Sequence, residues 1–397
     1  AKDAAETRAN EKERIMDEIR RNAVGAILLG GKIRSQAAIR ISMNQRPLRI
    51  AQISPLWTSI PPATYGGIEL LVKLMTDELV EQGHEVTLFG TGDCQTRATL
   101  VPIAEECVTE MMSKGTAYSF EHYANAAVTE AVRRSGDFDV LHFHLTPAWL
   151  PLAALAKCPT VFTLHTCAVL DDEWAFARYP EVEVAAISQF QIAGTAERLN
   201  RKFPVVYNGC DFGAYQPEYA PGQYLAFLGR MSHAKNPLGA IHIAKKLGMP
   251  LVLAGQPQNG PEVAYFEEQV KPLIDGEQIR WIGPVNHPQK EQLLRNASAL
   301  VFPIQWDEPF GLVMIEAMAC GTPVVGVRRG SVGEVVTDGV TGYSGPTPES
   351  LAELVADAVR LDRQRVRAKA ESQFGYQAMV SGYVALYRSL MEKAKRS

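Results

Sequence analysis

Short, continuous runs of apolar residues recur along most of the chain and alternate with longer amphipathic stretches. The run at residues 49–53 is followed by a loop rich in Pro and Gly, an amphipathic stretch at 69–82 and a second run at 85–89. This strand–loop–helix–strand order predicts a βαβ crossover, the unit from which parallel sheets are built. Apolar runs without alternation are typical of strands that helices cover on both faces.

The apolar runs form two separate series, each long enough for its own parallel sheet. The first series continues at residues 140–143, 160–164, 184–187 and 205–207, and the second lies at 225–228, 251–254, 279–282, 299–302 and 323–326. Predicted helices lie between the runs, for example at 237–247 and 289–296. The sequence therefore predicts an α/β protein with two doubly wound, Rossmann-like parallel-sheet domains.

A polar segment at residues 208–222, which contains Pro217 and Pro221, separates the two series and is the predicted hinge. The predicted domains are residues 47–210 and 211–375, and a closing helix at 376–397 is expected to pack back on the N-terminal domain. Parallel sheets of this kind bind ligands outside the carboxyl ends of their strands. We therefore expect the functional site in a cleft between the two domains.

Residues 1–46 stand apart from this pattern and are predicted to form a helical extension. Ile15, Ile19, Ala23 and Ile27 recur every four residues, which indicates an amphipathic helix. Two interpretations remain open: a partner-binding helix, or an expression-derived extension ahead of an internal start at Met43.

The composition excludes several classes of function. The chain of 397 residues has a formal net charge of −4, which argues against a large nucleic-acid-binding surface. No apolar run is long enough to span a membrane, and the charged start does not resemble a signal peptide. We expect a cytoplasmic protein; peripheral contact with the inner face of the membrane is left open. The six cysteines form no C-x-x-C pair, so reduced thiols are expected.

The segment from Glu308 to Pro323 has the strongest functional signal. Its apolar residues from Leu312 onward predict a buried helix that begins close to Pro309. Free backbone N–H groups around Phe310, Gly311 and Leu312 would face the cleft, where the N-terminus of a helix attracts anions.

This segment closely resembles the signature of the retaining glycosyltransferases of family 4, which have the GT-B fold. The signature E-P-F-G-x-x-x-x-E-A-[LM]-A-x-G-x-P-V-V matches residues 308–325 almost letter for letter. The resemblance implies that Glu308 contacts hydroxyl groups of the transferred sugar and is catalytic, and that Glu316 contacts the nucleotide ribose. It also implies that the N-terminal domain binds the acceptor and the C-terminal domain binds the nucleotide sugar.

A second motif places Arg230 and Lys235 on a loop between a predicted strand and a predicted helix. Two fixed cations on such a loop can neutralise a diphosphate leaving group. The resembling family binds the pyrophosphate with the same G-R-x-x-x-x-K pattern, which implies catalytic and donor-binding roles for both residues. Most members have Gly after the lysine, whereas this chain has Asn236.

Four positions in the N-terminal domain complete the predicted site. By the resemblance, Gly67 faces the donor diphosphate, and His165, in the T-x-H-T pattern of the family, contacts the donor sugar near its reacting face. Tyr65 and His144 are candidate acceptor contacts, whereas His142, inside an apolar run, is expected to be a core residue. The chain lacks a G-x-G-x-x-G fingerprint, which argues against a dinucleotide-binding oxidoreductase.

The resemblance to family 4 implies a retaining hexosyltransferase of class EC 2.4 in polysaccharide biosynthesis. The expected donor is UDP-glucose or a similar UDP-sugar, with a GDP-sugar as second choice. The expected acceptor is a sugar, a polysaccharide or lipid-linked saccharide, or a lipid, and neither a metal nor another cofactor is expected. Two alternatives remain: a sugar-nucleotide 2-epimerase and a catalytically inactive protein that binds sugar nucleotides.

Overall fold

The computed structural model of the protein describes residues 46–62 and 66–396. The predicted helical extension at 1–46 therefore lies almost entirely outside the described residues, as does Tyr65. Leu48–Ser397 form one compact unit, in which the strands make two six-stranded parallel sheets. The prediction of two parallel α/β sheets is confirmed.

The N-terminal sheet has the strand order β3-β2-β1-β4-β5-β6. Its strands are β1 (Arg49–Ile53), β2 (Glu85–Thr91), β3 (Thr99–Ala104), β4 (Val140–Phe143), β5 (Thr160–Leu164) and β6 (Glu183–Ala186). The α-helices between and after them are α1 (Gly67–Glu81), α2 (Val108–Ser113), α3 (Phe120–Arg133), α4 (Leu150–Ala153), α5 (Leu170–Arg178) and α6 (Gln189–Leu199). In the register of β1 and β4, Gln52 lies beside His142.

The C-terminal sheet has the strand order β12-β11-β10-β7-β8-β9. Its strands are β7 (Tyr224–Leu228), β8 (Leu251–Ala254), β9 (Ile279–Trp281), β10 (Ala297–Phe302), β11 (Val324–Val327) and β12 (Gly342–Gly345). The accompanying helices are α7 (Pro237–Leu247), α8 (Gly260–Tyr265), α9 (His287–Arg295), α10 (Leu312–Ala319), α11 (Val332–Val335), α12 (Leu351–Ala358), α13 (Arg363–Phe374) and α14 (Tyr376–Arg396). The loops after β7 and β10 are neighbours, because these two strands pair.

The sequence pattern was wrong at one strand and missed two others. Residues 205–207 form only an isolated bridge, in which Val205 pairs with Ala186, and the preceding Pro204 has no N–H to extend the pairing. Strands β3 and β12 were not predicted because neither is a continuous apolar run; both lie at sheet edges and are only partly buried. An edge strand is covered less completely and needs no continuous apolar run.

The last helix, α14, packs against the N-terminal sheet rather than the C-terminal one. Its fully buried Tyr383 and Tyr387 lie in one apolar cluster with Ile50 of β1 and Leu71 of α1. The chain therefore begins and ends its folded unit on the same sheet. This helix covers one face of the N-terminal sheet, and the candidate site lies at the carboxyl ends of the strands of that sheet.

Candidate active site

The loops at the carboxyl ends of the two sheets contact one another. The Ser188 hydroxyl, directly after β6, donates a hydrogen bond of 2.7 Å to the Pro309 carbonyl, in the loop between β10 and α10. The Cys167 thiol, in the loop after β5, lies 3.5 Å from the Asp307 carbonyl of the same loop. The predicted cleft residues of both sheets therefore lie in one region.

The first residues of α1 and α10 approach each other across this cleft. A Cβ placed on Gly67 would stand 3.0 Å from Cδ1 of Leu312, so any larger residue at position 67 would crowd α10. Each helix N-terminus carries about half a positive charge and unpaired N–H groups. Two such ends from different domains form a site suited to an anion.

Helix α10 begins at Leu312, three residues later than the sequence indicated. Gly311 precedes it with φ of 80°, a left-handed conformation, and a Cβ there would also lie 2.7 Å from Cε of Met314. The loop is held from behind by Ser331, whose N–H donates to the Glu308 carbonyl and whose hydroxyl donates to the Phe310 carbonyl. The Phe310 ring is buried, so only the backbone of this residue can meet a ligand.

Lys235 and Glu308, which the sequence placed in separate motifs, form an ion pair. The Lys235 ammonium contacts Oε2 of Glu308, which also accepts a hydrogen bond of 2.9 Å from Nε1 of Trp306. The ammonium lies 4.8 Å from the centre of the Trp306 ring. No described residue donates a hydrogen bond to Oε1 of Glu308, in contrast to Oε2.

The loop that carries Lys235 is attached to the β10 side by two hydrogen bonds. The Gln305 N–H donates to the Ala234 carbonyl at 2.8 Å, and the Asn236 side chain donates to the Pro303 carbonyl at 2.9 Å. Asn236 has φ of 56° and caps α7 by accepting from the N–H of Gly239. Asn is the non-glycine residue that best tolerates this conformation, which explains why it can replace the usual Gly.

Arg230 lies on the same loop and also has an acidic partner. Its guanidinium donates to Oε1 of Glu262, in α8, at 3.0 Å, and it remains partly exposed. A bound diphosphate would compete with Glu262 for this cation.

Glu316, the second glutamate of the signature, is almost fully buried in α10. Its Oε1 contacts the Lys290 ammonium and accepts a hydrogen bond of 3.0 Å from the Tyr215 hydroxyl. Burial and the neighbouring Glu316 carboxylate raise the pKa of Tyr215 well above its ordinary value, so this hydroxyl stays a donor. The pair of contacts fixes the orientation of the carboxylate.

The predicted histidines follow neighbouring strands of the N-terminal sheet. His165 is partly exposed, and its Nε2 lies 3.2 Å from Nδ1 of His144. His144 is buried, and its Nε2 lies 2.8 Å from Oε1 of Gln52. His144 therefore lies behind His165 and does not line the cleft as an acceptor contact would. His142 is a buried core residue, as expected.

Burial of these histidines makes the protein's stability depend on pH. It lowers the pKa of His165 to about 4 and holds the pKa values of His142 and His144 well below the ordinary 6.5. Below pH 6.5 these histidines bind protons in the unfolded chain, whereas they stay neutral in the folded chain. The free energy of unfolding is therefore at its full value above pH 6.5 and falls as the pH drops toward 4.

We expect urea unfolding at pH 5.0 to show a loss of about 2 kcal/mol per buried histidine relative to pH 7.5. His142→Asn should reduce this difference by one histidine's share. A wild-type protein equally stable at both pH values would contradict the expectation.

Glu334 of α11 joins the two domains beside the site. Its carboxylate accepts hydrogen bonds from the N–H groups of Gln189 and Phe190, at 2.8 and 2.6 Å, and one of 2.9 Å from the Tyr207 hydroxyl. The acceptor sits at the N-terminus of α6, where a negative charge is favourable. This contact holds the domains together in the described arrangement.

Four residues that contact the site were not predicted from the sequence: Glu262, Lys290, Trp306 and Glu334. Glu262, Lys290 and Glu334 lie far along the chain from their partners; Lys290 and Glu316, for example, are 26 residues apart. Only Trp306, two residues before Glu308, stands close enough to a recognised motif to have been considered.

Within residues 46–62 and 66–396, no group of three or more His, Cys, Asp or Glu side chains is arranged to hold a metal ion. In the same part of the chain, no helix has the length and apolar character that crossing a membrane requires.

Comparison with known proteins gives consistent matches over both domains. Residues 65–213 match the family described as Glycosyltransferase Family 4, and residues 216–374 match Glycosyl transferases group 1. The D-inositol 3-phosphate glycosyltransferase of Mycolicibacterium smegmatis is 26% identical, in an alignment that covers 87% of this chain and 92% of that protein.

Solved structures show the same architecture. AviGT4, a glycosyltransferase involved in avilamycin A biosynthesis, is 27% identical, with a TM-score of 0.64 over 87% of this chain and 98% of its own. HepE of Anabaena, solved in complex with UDP, is 18% identical, with a TM-score of 0.67 over 86% of this chain and 100% of its own, and supports the fold alone. With two opposed parallel sheets and matches to both families over most of its length, the chain belongs to the family 4 glycosyltransferases of GT-B fold.

Proposed function

We propose that this glycosyltransferase transfers a hexose from a nucleoside diphosphate sugar to an acceptor hydroxyl with retention of anomeric configuration. The donor we propose is a UDP-sugar such as UDP-glucose, with a GDP-sugar as second choice. The observation that best supports this proposal is the Lys235–Glu308 ion pair, just before the start of α10. Lys235 offers a positive charge to a diphosphate, and Oε1 of Glu308 can accept a hydrogen bond from a sugar hydroxyl.

The leaving diphosphate would be stabilised by this chain's own positive groups. Arg230 and Lys235 lie on one loop, and the N-termini of α1 and α10 add backbone N–H groups. In the proposed reaction the bond from the anomeric carbon to the diphosphate oxygen breaks as the bond to the acceptor oxygen forms on the same face. The acceptor proton passes to the departing diphosphate oxygen, so no base is needed from the N-terminal domain.

The other site residues would bind and orient the donor. Glu308 would accept from sugar hydroxyls through its free oxygen, and Glu316, oriented by Lys290 and Tyr215, would hold the ribose. His165, the partly exposed histidine, would contact the donor sugar near its reacting carbon.

The acceptor is the least constrained part of the proposal. The acceptor classes to be tested are sugars, polysaccharides or lipid-linked saccharides, and lipids. The relative from M. smegmatis is by name a D-inositol 3-phosphate glycosyltransferase. We therefore include a polyol phosphate among the acceptor classes to be tested.

The proposal is tested first by thermal unfolding with a panel of nucleotides and nucleotide sugars. The diphosphate sugar that raises the melting temperature most is then incubated with each acceptor class, and nucleotide release is measured with and without a chelator. Acceptor-dependent release of the nucleoside diphosphate, unchanged by the chelator, is the expected result. Conversion of the donor to its 2-epimer, or binding without release for every donor and acceptor, would contradict it.

A further inference from the structure

A buried hydrogen-bond network connects His165 to the interior of the N-terminal domain. Gln52 of β1 stands at its centre, with its amide nitrogen 3.6 Å from Sδ of Met75 and 3.3 Å from the Tyr387 hydroxyl. Its amide oxygen faces Nε2 of His144 at 2.8 Å. Gln52 and His144 are both buried, and neither has a place in the reaction proposed above.

Met75 favours one orientation of the Gln52 amide, although the Tyr387 hydroxyl also lies 3.8 Å from its sulfur. A thioether sulfur can accept a hydrogen bond but has no proton to donate. In the structure the NH₂ group of Gln52 faces Met75 and the Tyr387 hydroxyl, and its carbonyl oxygen faces His144. An amide flipped by 180° would place two acceptors, oxygen and sulfur, against each other.

The fixed amide determines the tautomers of two histidines in turn. The Gln52 oxygen needs a donor, so neutral His144 carries its proton on Nε2 and is left with Nδ1 as an acceptor. Nδ1 of His144 faces Nε2 of His165 at 3.2 Å, so His165 must donate from Nε2. No described residue lies within hydrogen-bonding distance of Nδ1 of His165. Burial keeps the pKa values of both rings below the physiological range, so each carries one proton.

We propose that Gln52 and His144 are positioning residues that fix His165 as its Nε2-protonated tautomer and present its Nδ1 to the cleft as a hydrogen-bond acceptor. Nδ1 would then accept from a hydroxyl of the donor sugar and could not donate to it. This inference rests on the proposed function only for the identity of the substrate. The tautomer itself follows from the hydrogen bonds of the protein.

A second branch of the network supplies a matched control. The Tyr387 hydroxyl lies 2.6 Å from Nδ1 of His142, whose Nε2 lies 2.7 Å from the Thr163 hydroxyl. This branch ends at Tyr383 and does not reach His165. Tyr383→Phe breaks a buried hydrogen bond at the end of this branch and leaves the hydrogen bonds of Gln52 in place.

The tautomer is measured without substrate by long-range ¹H–¹⁵N spectra of protein labelled with ¹⁵N-histidine, with the His165 signals identified by their loss in His165→Asn. We expect a protonated, pyrrole-like Nε2 and a bare, pyridine-like Nδ1 in the wild type and in Tyr383→Phe. In Gln52→Leu, His144 loses its acceptor, so the two His165 signals should move toward each other. A proton on Nδ1 in the wild type, or unchanged signals in Gln52→Leu, would overturn the proposal.

The positioning role is measured by kinetics. His144→Leu removes the acceptor for His165 and should lower kcat/KM about 10- to 100-fold, whereas His144→Asn restores an acceptor oxygen and should recover most of that loss. Tyr383→Phe should keep the wild-type kcat/KM although it lowers stability. Equal losses in both His144 variants would overturn the role. A wild type that consumes no nucleotide sugar would refute the proposed function, while the spectra would still decide the tautomer.

Discussion

Replacing Lys235 by methionine is expected to lower kcat by about 10²–10³ at a saturating donor concentration, the scale of losing one preorganised group that stabilises developing charge. Lys235 is held in place before any ligand arrives. Its ammonium contacts Glu308 and lies 4.8 Å from the centre of the Trp306 ring. Methionine keeps the length and apolar stem of the side chain but has no charge for the departing diphosphate.

The matched control is Lys246→Met, in the last turn of α7 in the same domain and exposed to solvent. It removes one positive charge of the same kind outside the cleft and should leave kcat unchanged. Initial rates are measured by nucleotide release over a range of donor concentrations, so that kcat and KM are separated. A Lys235→Met variant with near-wild-type kcat would show that this cation does not act on the leaving group.

The sequence predicted the central strands of both sheets well because those strands have no polar face. Residues of β4, β5, β8 and β10 are covered on both sides, so their apolar runs are continuous. Two of the edge strands, β3 and β12, gave no such signal: β12 reads Gly-Tyr-Ser-Gly and is only partly buried. Its position is set by pairing with β11, a long-range contact that local composition does not encode.

The candidate site was predictable as a set of residues but not as a set of contacts. Motif recognition identifies Lys235 and Glu308 separately, whereas their ion pair joins residues 73 apart and depends on β7 and β10 being neighbours in the sheet. The burial of His144 likewise depends on β1 and β4 lying side by side. Gln52 looked like an ordinary strand residue for the same reason.

Replacing Glu308 by glutamine is expected to lower kcat by about 10²–10³, with a smaller change in KM for the donor. Glutamine has nearly the same shape and can still accept from Nε1 of Trp306, which now donates to Oε2 at 2.9 Å. It has no negative charge for a sugar ring that becomes electron-poor as the diphosphate leaves. Asp307→Asn, which removes an exposed carboxylate of the adjacent residue, is the matched control and should keep the wild-type kcat.

Either substitution also leaves one charge of a largely buried ion pair without its partner, which costs about 3 kcal/mol of stability. The double variant Lys235→Met/Glu308→Gln separates this structural effect from catalysis, because it removes both charges. We expect urea unfolding of the double variant to recover most of the lost stability, since neither charge remains unpaired. Its kcat should be no higher than that of the weaker single variant, because each residue acts on a different part of the donor. If kcat recovered together with stability, the pair would serve the fold alone, and neither residue would have a role in transfer.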